Sequence, residues 1–275
     1  MSKKGVVLIT GASSGMGMAT AERLLKEGYS VYGAARRVEK MRALEAKGAQ
    51  ILAMDVTDDQ SLADGVNRII SEQGRIDVLF NNVGYGSYGA VEDVPLEEAK
   101  RQFEVNLFGL SRLTQLVLPI MRKQGSGKII NNSSVGGRIY TPLGAWYHAT
   151  KHALEGYSDC LRFEVASFGI DVIVIEPGSI QSEWSDIMLE NVQKVSGKTA
   201  YADMTHSYVD MSKNMVKNAS TPHVIADTVF KAIKARKPKT RYVAGKFAKP
   251  MLLLRKLVSD RLFDRMLYSM LKQSE

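Results

Sequence analysis

Unbroken apolar runs recur along the chain, separated by stretches in which apolar residues return every three or four positions. The runs Val6–Ile9, Ser30–Ala34, Gln50–Met54, Val78–Phe80, Lys128–Asn131 and Asp171–Ile175 are predicted strands. Continuous rather than alternating hydrophobicity marks strands covered on both faces, as in a parallel sheet. Helical periodicity fills the gaps, for example at Met16–Lys26 and Ser61–Glu72. Repeated strand–helix–strand units predict a doubly wound α/β fold with helices on both faces of the sheet. No solenoid repeat is present.

The pattern changes after Pro177-Gly178. Residues 180–220 are rich in Met, Tyr and Ser and contain no clear strand. A helix is predicted at His223–Ala235, then a short strand at Arg241–Ala244. The tail from Phe247 to Lys272 reads as one amphipathic helix. The expected organisation is a main domain over residues 1–245, including a helical substrate lid at 180–220, and an amphipathic helical extension over 246–275.

Composition narrows the functional classes. With 275 residues, 45% hydrophobic and 24% charged, the chain has enough apolar material for a large core and does not resemble a disordered polypeptide. The single cysteine, Cys160, rules out an internal disulfide and a cysteine-rich metal site. Cys160 is expected to be a buried structural thiol in a reduced, cytoplasmic setting. No metal is expected. The run after Met1-Ser2-Lys3-Lys4-Gly5 is too short for a signal peptide, and no segment approaches a membrane span. A net charge of +8 suits anionic ligands, but no nucleic-acid-binding motif accompanies it.

The first strand runs into Thr10-Gly11-Ala12-Ser13-Ser14-Gly15-Met16-Gly17. Glycines let such a turn approach a pyrophosphate, and the next helix aims unpaired N–H groups at the phosphates. The second strand ends in Ala34-Ala35-Arg36-Arg37, where an acidic residue would favour the ribose hydroxyl of NAD. Guanidinium suits a phosphate, so NADP(H) is expected over NAD(H), with Arg36 the first candidate and Arg37 the second. Asp55-Val56, after the third strand, reads either as an adenine contact or as a turn and helix cap. Asn81, before Asn82-Val83-Gly84, either ties loops together or lines the cleft.

Tyr147 and Lys151 stand four apart on a helical stretch and so share a face. An ammonium there is expected to lower the phenol pKa from its free value of about 10, giving a proton donor for carbonyl reduction and a base for alcohol oxidation. Ser133-Ser134 follows the fifth strand at the edge where ligands bind and offers a hydroxyl to polarise a substrate oxygen. Asn106, a polar amide in the apolar stretch Phe103–Leu107, needs partners if buried and is a candidate for a water relay towards Lys151.

Together these residues resemble the short-chain dehydrogenases/reductases. The resemblance rests on Thr10-Gly11, Gly15-Met16-Gly17, Asp55, Asn81-Asn82-Val83-Gly84, Asn106, Ser134, Tyr147-x-x-x-Lys151 and Pro177-Gly178, in that order. It implies a single Rossmann domain with a seven-stranded parallel sheet. It implies a catalytic tetrad of Asn106, Ser134, Tyr147 and Lys151. Gly11, Ser13, Ser14, Gly15, Met16 and Gly17 would cradle the pyrophosphate. Arg36, Arg37, Asp55, Val56 and Asn82 would border the adenosine half. Tyr147, Lys151, Pro177, Gly178, Ile180 and Ser182 would border the nicotinamide. Val83 departs from the usual alanine, and Ser182 stands where a threonine is common.

Substrate contacts are expected from Ser134, Tyr140, Tyr147 and Trp184. The lid carries Trp184, Met188, Met204, Tyr208, Met211 and Met215, which either suit a bulky apolar carbonyl or alcohol or simply pack the lid down. The look is that of family members acting on steroid- or retinol-like substrates. Alternative readings are an NADPH-sensing regulator and an isomerase or lyase on the same fold. A homo-oligomer is expected. The tail interleaves leucines with Arg255, Lys256, Arg261, Arg265 and Lys272, so it lies on a membrane surface, caps the active site or packs on a neighbouring subunit.

Overall fold

A computed structural model describes residues 4–272. Residues 1–3, read above for a leader, and 273–275, the end of the tail, lie outside the described residues. The elements run β1 (Val6–Thr10), α1 (Gly15–Lys26), β2 (Ser30–Ala35), α2 (Arg42–Ala46), β3 (Gln50–Ala53), α3 (Asp59–Gln73) and β4 (Val78–Asn81). They continue with α4 (Leu96–Phe103), α5 (Gly109–Gln124), β5 (Gly127–Asn132), α6 (Ala145–Val165) and β6 (Ile170–Pro177). Then come α7 (Glu183–Ser196), α8 (Ala202–Lys217), α9 (His223–Lys234), β7 (Arg241–Ala244), α10 (Ala248–Leu257) and α11 (Asp260–Lys272).

The seven strands form one sheet in the order β3-β2-β1-β4-β5-β6-β7, and every pairing is parallel. The order reverses between β1 and β4, which opens a crevice beyond the strand carboxyl ends. Successive β1 side chains enter opposite cores. Val6 and Leu8 join Leu62, Val66, Leu113 and Leu161 from α3, α5 and α6. Val7 and Ile9 join Leu24, Ile225 and Val229 from α1 and α9. Burial on both faces is why the strands read as unbroken apolar runs.

The expected helical lid holds α7 and α8, whose apolar faces pack around Tyr88 and Tyr147. Two local readings are revised. The tail is two helices rather than one, because Val258 is extended and the Ser259 carbonyl accepts the first amides of α11. Cys160 is exposed rather than buried, since α6 turns Leu154, Ser158, Leu161 and Val165 inwards and leaves Cys160 off that face. Among the described residues, no helix is long and apolar enough to cross a membrane.

Candidate active site

Two abutting cavities lie along the carboxyl edge of the sheet and share Met16, Asn82, Gly84, Ser182 and Trp184. The first, about 430 Å³, begins at the β1–α1 turn. Gly11 and Gly15 have φ of +68° and +53°, a backbone that side chains rarely permit. A Cβ on Gly17 would fall 2.2 Å from the Gly11 carbonyl oxygen, so the helix crosses its own turn at backbone contact. Gly17 thus shapes the turn and is not among the residues lining the cleft. Ser14 precedes α1 without capping it through its side chain, which leaves the first-turn amides for an anion.

Gly11, Ser13, Ser14, Gly15, Met16, Arg36, Arg37, Asp55, Val56 and Asn82 all line this cavity. Arg36 is 66% exposed and 3.9 Å from Asp55. Arg37 is more engaged, with Ser14 Oγ at 3.4 Å and Glu183 of α7 at 3.1 Å. The same Glu183 carboxylate takes Lys40 at 3.0 Å, and both partners hold its pKa below the usual carboxylate range. Asp55 Oδ1 accepts from the Thr57 amide and hydroxyl, so it is a turn former that also borders the cleft.

A chain of amides connects this turn to the second cavity. Asn82 Nδ2 donates to the carbonyls of Thr10 and Gly11, and its Oδ1 accepts from Asn132 Nδ2 at 2.9 Å. The Asn132 carbonyl in turn accepts from Lys151 Nζ at 2.8 Å. Asn81 lies under the cleft, 1% exposed, tying β4 to Thr114 and Asn131.

The second cavity, about 230 Å³, is lined by Ser134, Tyr147, Lys151, Pro177, Gly178, Ile180, Ser182 and Trp184 among others. Tyr147 and Lys151 share one face of α6, with the ammonium 5.9 Å from the phenol ring centroid. Burial pushes Tyr147 up to about 12, against the pull of the Ser134 hydroxyl, and pushes Lys151 down to about 8. This corrects the expectation that Lys151 lowers the phenol. Removing water from the phenol outweighs an ammonium that is itself buried and turned to a carbonyl.

Asn106 is fully buried in a five-residue π-helical turn, Glu104–Phe108, between α4 and α5. Its side chain donates to the Tyr85 carbonyl and Thr150 Oγ1 and accepts the Tyr85 amide. It stands behind Gly84. A Cβ there would lie 3.3 Å from Asn106 Oδ1 and 3.6 Å from Lys151 Nζ, so both converge on one bare backbone position.

Tyr140 is a correction. Its hydroxyl donates to Asp264 at 2.7 Å and its ring meets Phe263 edge-on, so it binds the tail instead of the cavity. Three contributors were not singled out from the sequence. Asn132 links the two cavities, and its place at the end of β5 was the available signal. Tyr88 stands 5.6 Å from the Tyr147 ring and stacks on Tyr208 at 5.8 Å. His148, beside Tyr147, accepts the Thr141 amide at Nε2 and so donates from Nδ1 to the Gly136 carbonyl. Burial lowers it to about 4, and it pins the Ser134–Thr141 loop to α6 as a neutral ring.

The family model for short chain dehydrogenases matches residues 5–193. The chain is 37% identical over 241 residues to 3-ketodihydrosphingosine reductase of Bacteroides thetaiotaomicron, covering 87% of each. It is 32% identical over 286 residues to the NADPH-dependent 3-dehydrocapnine reductase of Ornithobacterium rhinotracheale, covering 97% of each. A short-chain dehydrogenase structure from Streptomyces avermitilis superposes with a TM-score of 0.81 at 34% identity, over 93% of both chains. The chain therefore belongs to the short-chain dehydrogenase/reductase family of nicotinamide-dependent oxidoreductases.

Proposed function

We propose that this chain is an NADPH-dependent reductase of a bulky apolar ketone or aldehyde, with Tyr147 as proton donor. The observation that carries this reading is the buried Tyr147 phenol, one helical turn from Lys151 and beside Ser134. It lies in a cavity that abuts the glycine turn.

The residues present fit a dinucleotide. The glycines let the Gly11–Gly17 turn fold tightly at the cleft, and uncapped α1 amides are there for a pyrophosphate. Arg36, with its side chain largely in solvent, is the residue for a 2′-phosphate. Pro177, Gly178, Ile180 and Ser182 would border the nicotinamide, which when bound would supply the hydride. Ser134 donates to the substrate oxygen. Tyr147, protonated throughout the neutral range, delivers the proton to that oxygen, and Lys151 stabilises the phenolate left behind. Asn106, close to Lys151 behind Gly84, would hold a water that returns a proton to Lys151. His148 keeps the Ser134 loop in register. The protonated phenol favours reduction as the working direction.

Tyr88, Met188, Tyr208, Met211, Met215 and Trp184 line the substrate side, and aromatic and thioether surfaces suit an apolar body. The names of the two curated relatives describe reductases, one of them NADPH-dependent.

The test is a panel of carbonyls read by loss of NADPH absorbance. Expected is stoichiometric consumption, fastest with long or polycyclic ketones. Activity confined to small polar sugars or hydroxy acids would remove the apolar-substrate reading. Tight NADPH binding without consumption would leave a nucleotide sensor. Product without net consumption would leave an isomerase.

A further inference from the structure

The tail carries an exposed apolar and basic surface that nothing in the fold covers. On α10, Leu253 and Leu257 lie one turn apart and are 59% and 73% exposed. On α11, Leu262 and Tyr268 are 46% and 59% exposed. The opposite sides of these helices are already satisfied: Phe263 and Leu267 pack with Ile139, Met251 and Leu252. The exposed leucines are therefore surplus to the fold.

Charge on the same helices is one-sided. The acids between Lys246 and Lys272 are Asp260 and Asp264. Asp260 pairs with Arg255, and Asp264 accepts from Tyr140. Among the described residues, Lys249, Lys256, Arg261, Arg265 and Lys272 enter no ion pair. Helical spacing sets Arg261, Arg265 and Lys272 on the side of α11 away from Phe263 and Leu267. The result is apolar side chains projecting among free cations.

The other side of α10 reaches the second cavity. Phe247 and Met251, at the start of the tail, are part of the cavity wall. Phe247 is 39% exposed and held at φ +64°, an unusual backbone for a phenylalanine that seats its ring at the junction.

We propose that α10 and α11 form a docking surface for an anionic lipid bilayer. Leucines enter the interface while lysine and arginine heads reach the phosphates. A second copy of the chain is disfavoured as occupant, since it would bring the same cations face to face. The docking stands on the surface alone.

The experiment is co-sedimentation of the full chain with vesicles of phosphatidylglycerol and phosphatidylcholine, and with phosphatidylcholine alone. Expected is binding at least tenfold stronger to the anionic vesicles, weakened by salt. Two variants, Leu253→Asp/Leu257→Asp and Arg261→Ser/Arg265→Ser, are expected each to lose most of it. NADPH binding by the variants controls for folding. Absence of vesicle binding by the parent chain, or equal binding to both vesicle types, overturns the proposal. So does self-association by sedimentation velocity that Leu257→Asp abolishes, with no vesicle binding. NADPH-dependent turnover of long-chain and polycyclic ketones, dispersed without vesicles, is measured alongside. If that fails while vesicles bind, the reductase reading is lost and the docking surface stands.

Discussion

Lys151 donates to the Asn132 carbonyl, and Asn132 donates to Asn82, so the cation in the second cavity hangs on the same amide chain that braces the glycine turn. The glycine turn and the Tyr147–Lys151 face are thereby joined through one hydrogen-bonded chain. Replacing Tyr147, which lies outside that chain, should therefore separate chemistry from binding. Tyr147→Phe is expected to keep NADPH affinity within about threefold while turnover falls by roughly 10²–10⁴, the range for losing a general acid. Fluorescence titration and steady-state rates check the two halves; undiminished turnover assigns the proton to another group.

The pH profile follows from the two opposed shifts. Tyr147, raised to about 12, keeps its proton across the working range, whereas Lys151, lowered to about 8, loses its charge first. Carbonyl reduction should be level below pH about 8 and decline above it, as the ammonium that steadies the phenolate is lost. A rate that stays constant to pH about 10 contradicts this role for Lys151.

His148 makes stability depend on acid. Its folded value of about 4 lies below its ordinary 6.5, so the unfolded chain takes up the proton first as pH falls. The stability it contributes is complete above about 6.5 and is lost down to about 4, an effect of about 3 kcal/mol at ~1.4 kcal/mol per pKa unit. In thermal melts the gap between the parent chain and His148→Asn should narrow as pH drops through that window. A gap independent of pH would show that the ring's protonation is not coupled to folding.

Arg36→Asp should invert nucleotide preference. Losing a charge-assisted contact to phosphate costs about 1.5–3 kcal/mol, or roughly ten- to a hundredfold in the NADPH to NADH ratio of kcat/KM. Arg37→Ala should shift that ratio less, because Arg37 is already held by Ser14 and Glu183. Equal shifts, or a larger one at Arg37, reassign the phosphate.

Gly17→Ala forces a methyl to within 2.2 Å of the Gly11 carbonyl oxygen. The turn must open, at a cost of about 1–3 kcal/mol for an overpacked site. A fall of several degrees in Tm together with weaker NADPH binding is expected, and an unchanged melt would mean that the turn yields without strain.

The inner strands were legible because they are covered on both faces, so Val6–Ile9 or Asp171–Ile175 announces itself without any partner in view. The glycine turn and the Tyr147/Lys151 face were legible because their chemistry depends on local spacing. What escaped depends on distant partners. Tyr140 follows Ile139, whose side chain enters the core, and only the approach of Asp264 in α11 settles its direction. The π-helical turn at Asn106 leaves no periodic trace over five residues. The break in the tail did have a signal: Ser259-Asp260 before an apolar stretch is a helix start. Cys160 was misplaced by one position in the α6 wheel. The paired pKa shifts of Tyr147 and Lys151 follow from burial, which no four-residue spacing reveals.

Glu183, the first residue of α7, grips Arg37 and Lys40 on the nucleotide side of the cleft. That grip makes helix and dinucleotide rivals or allies for the same cations, and equilibrium allows no one-way influence between them. If occupancy of the adenosine half loosens α7, then substrate pressing α7 down must loosen the nucleotide by the same factor. Order of entry and order of release would then be written into one carboxylate.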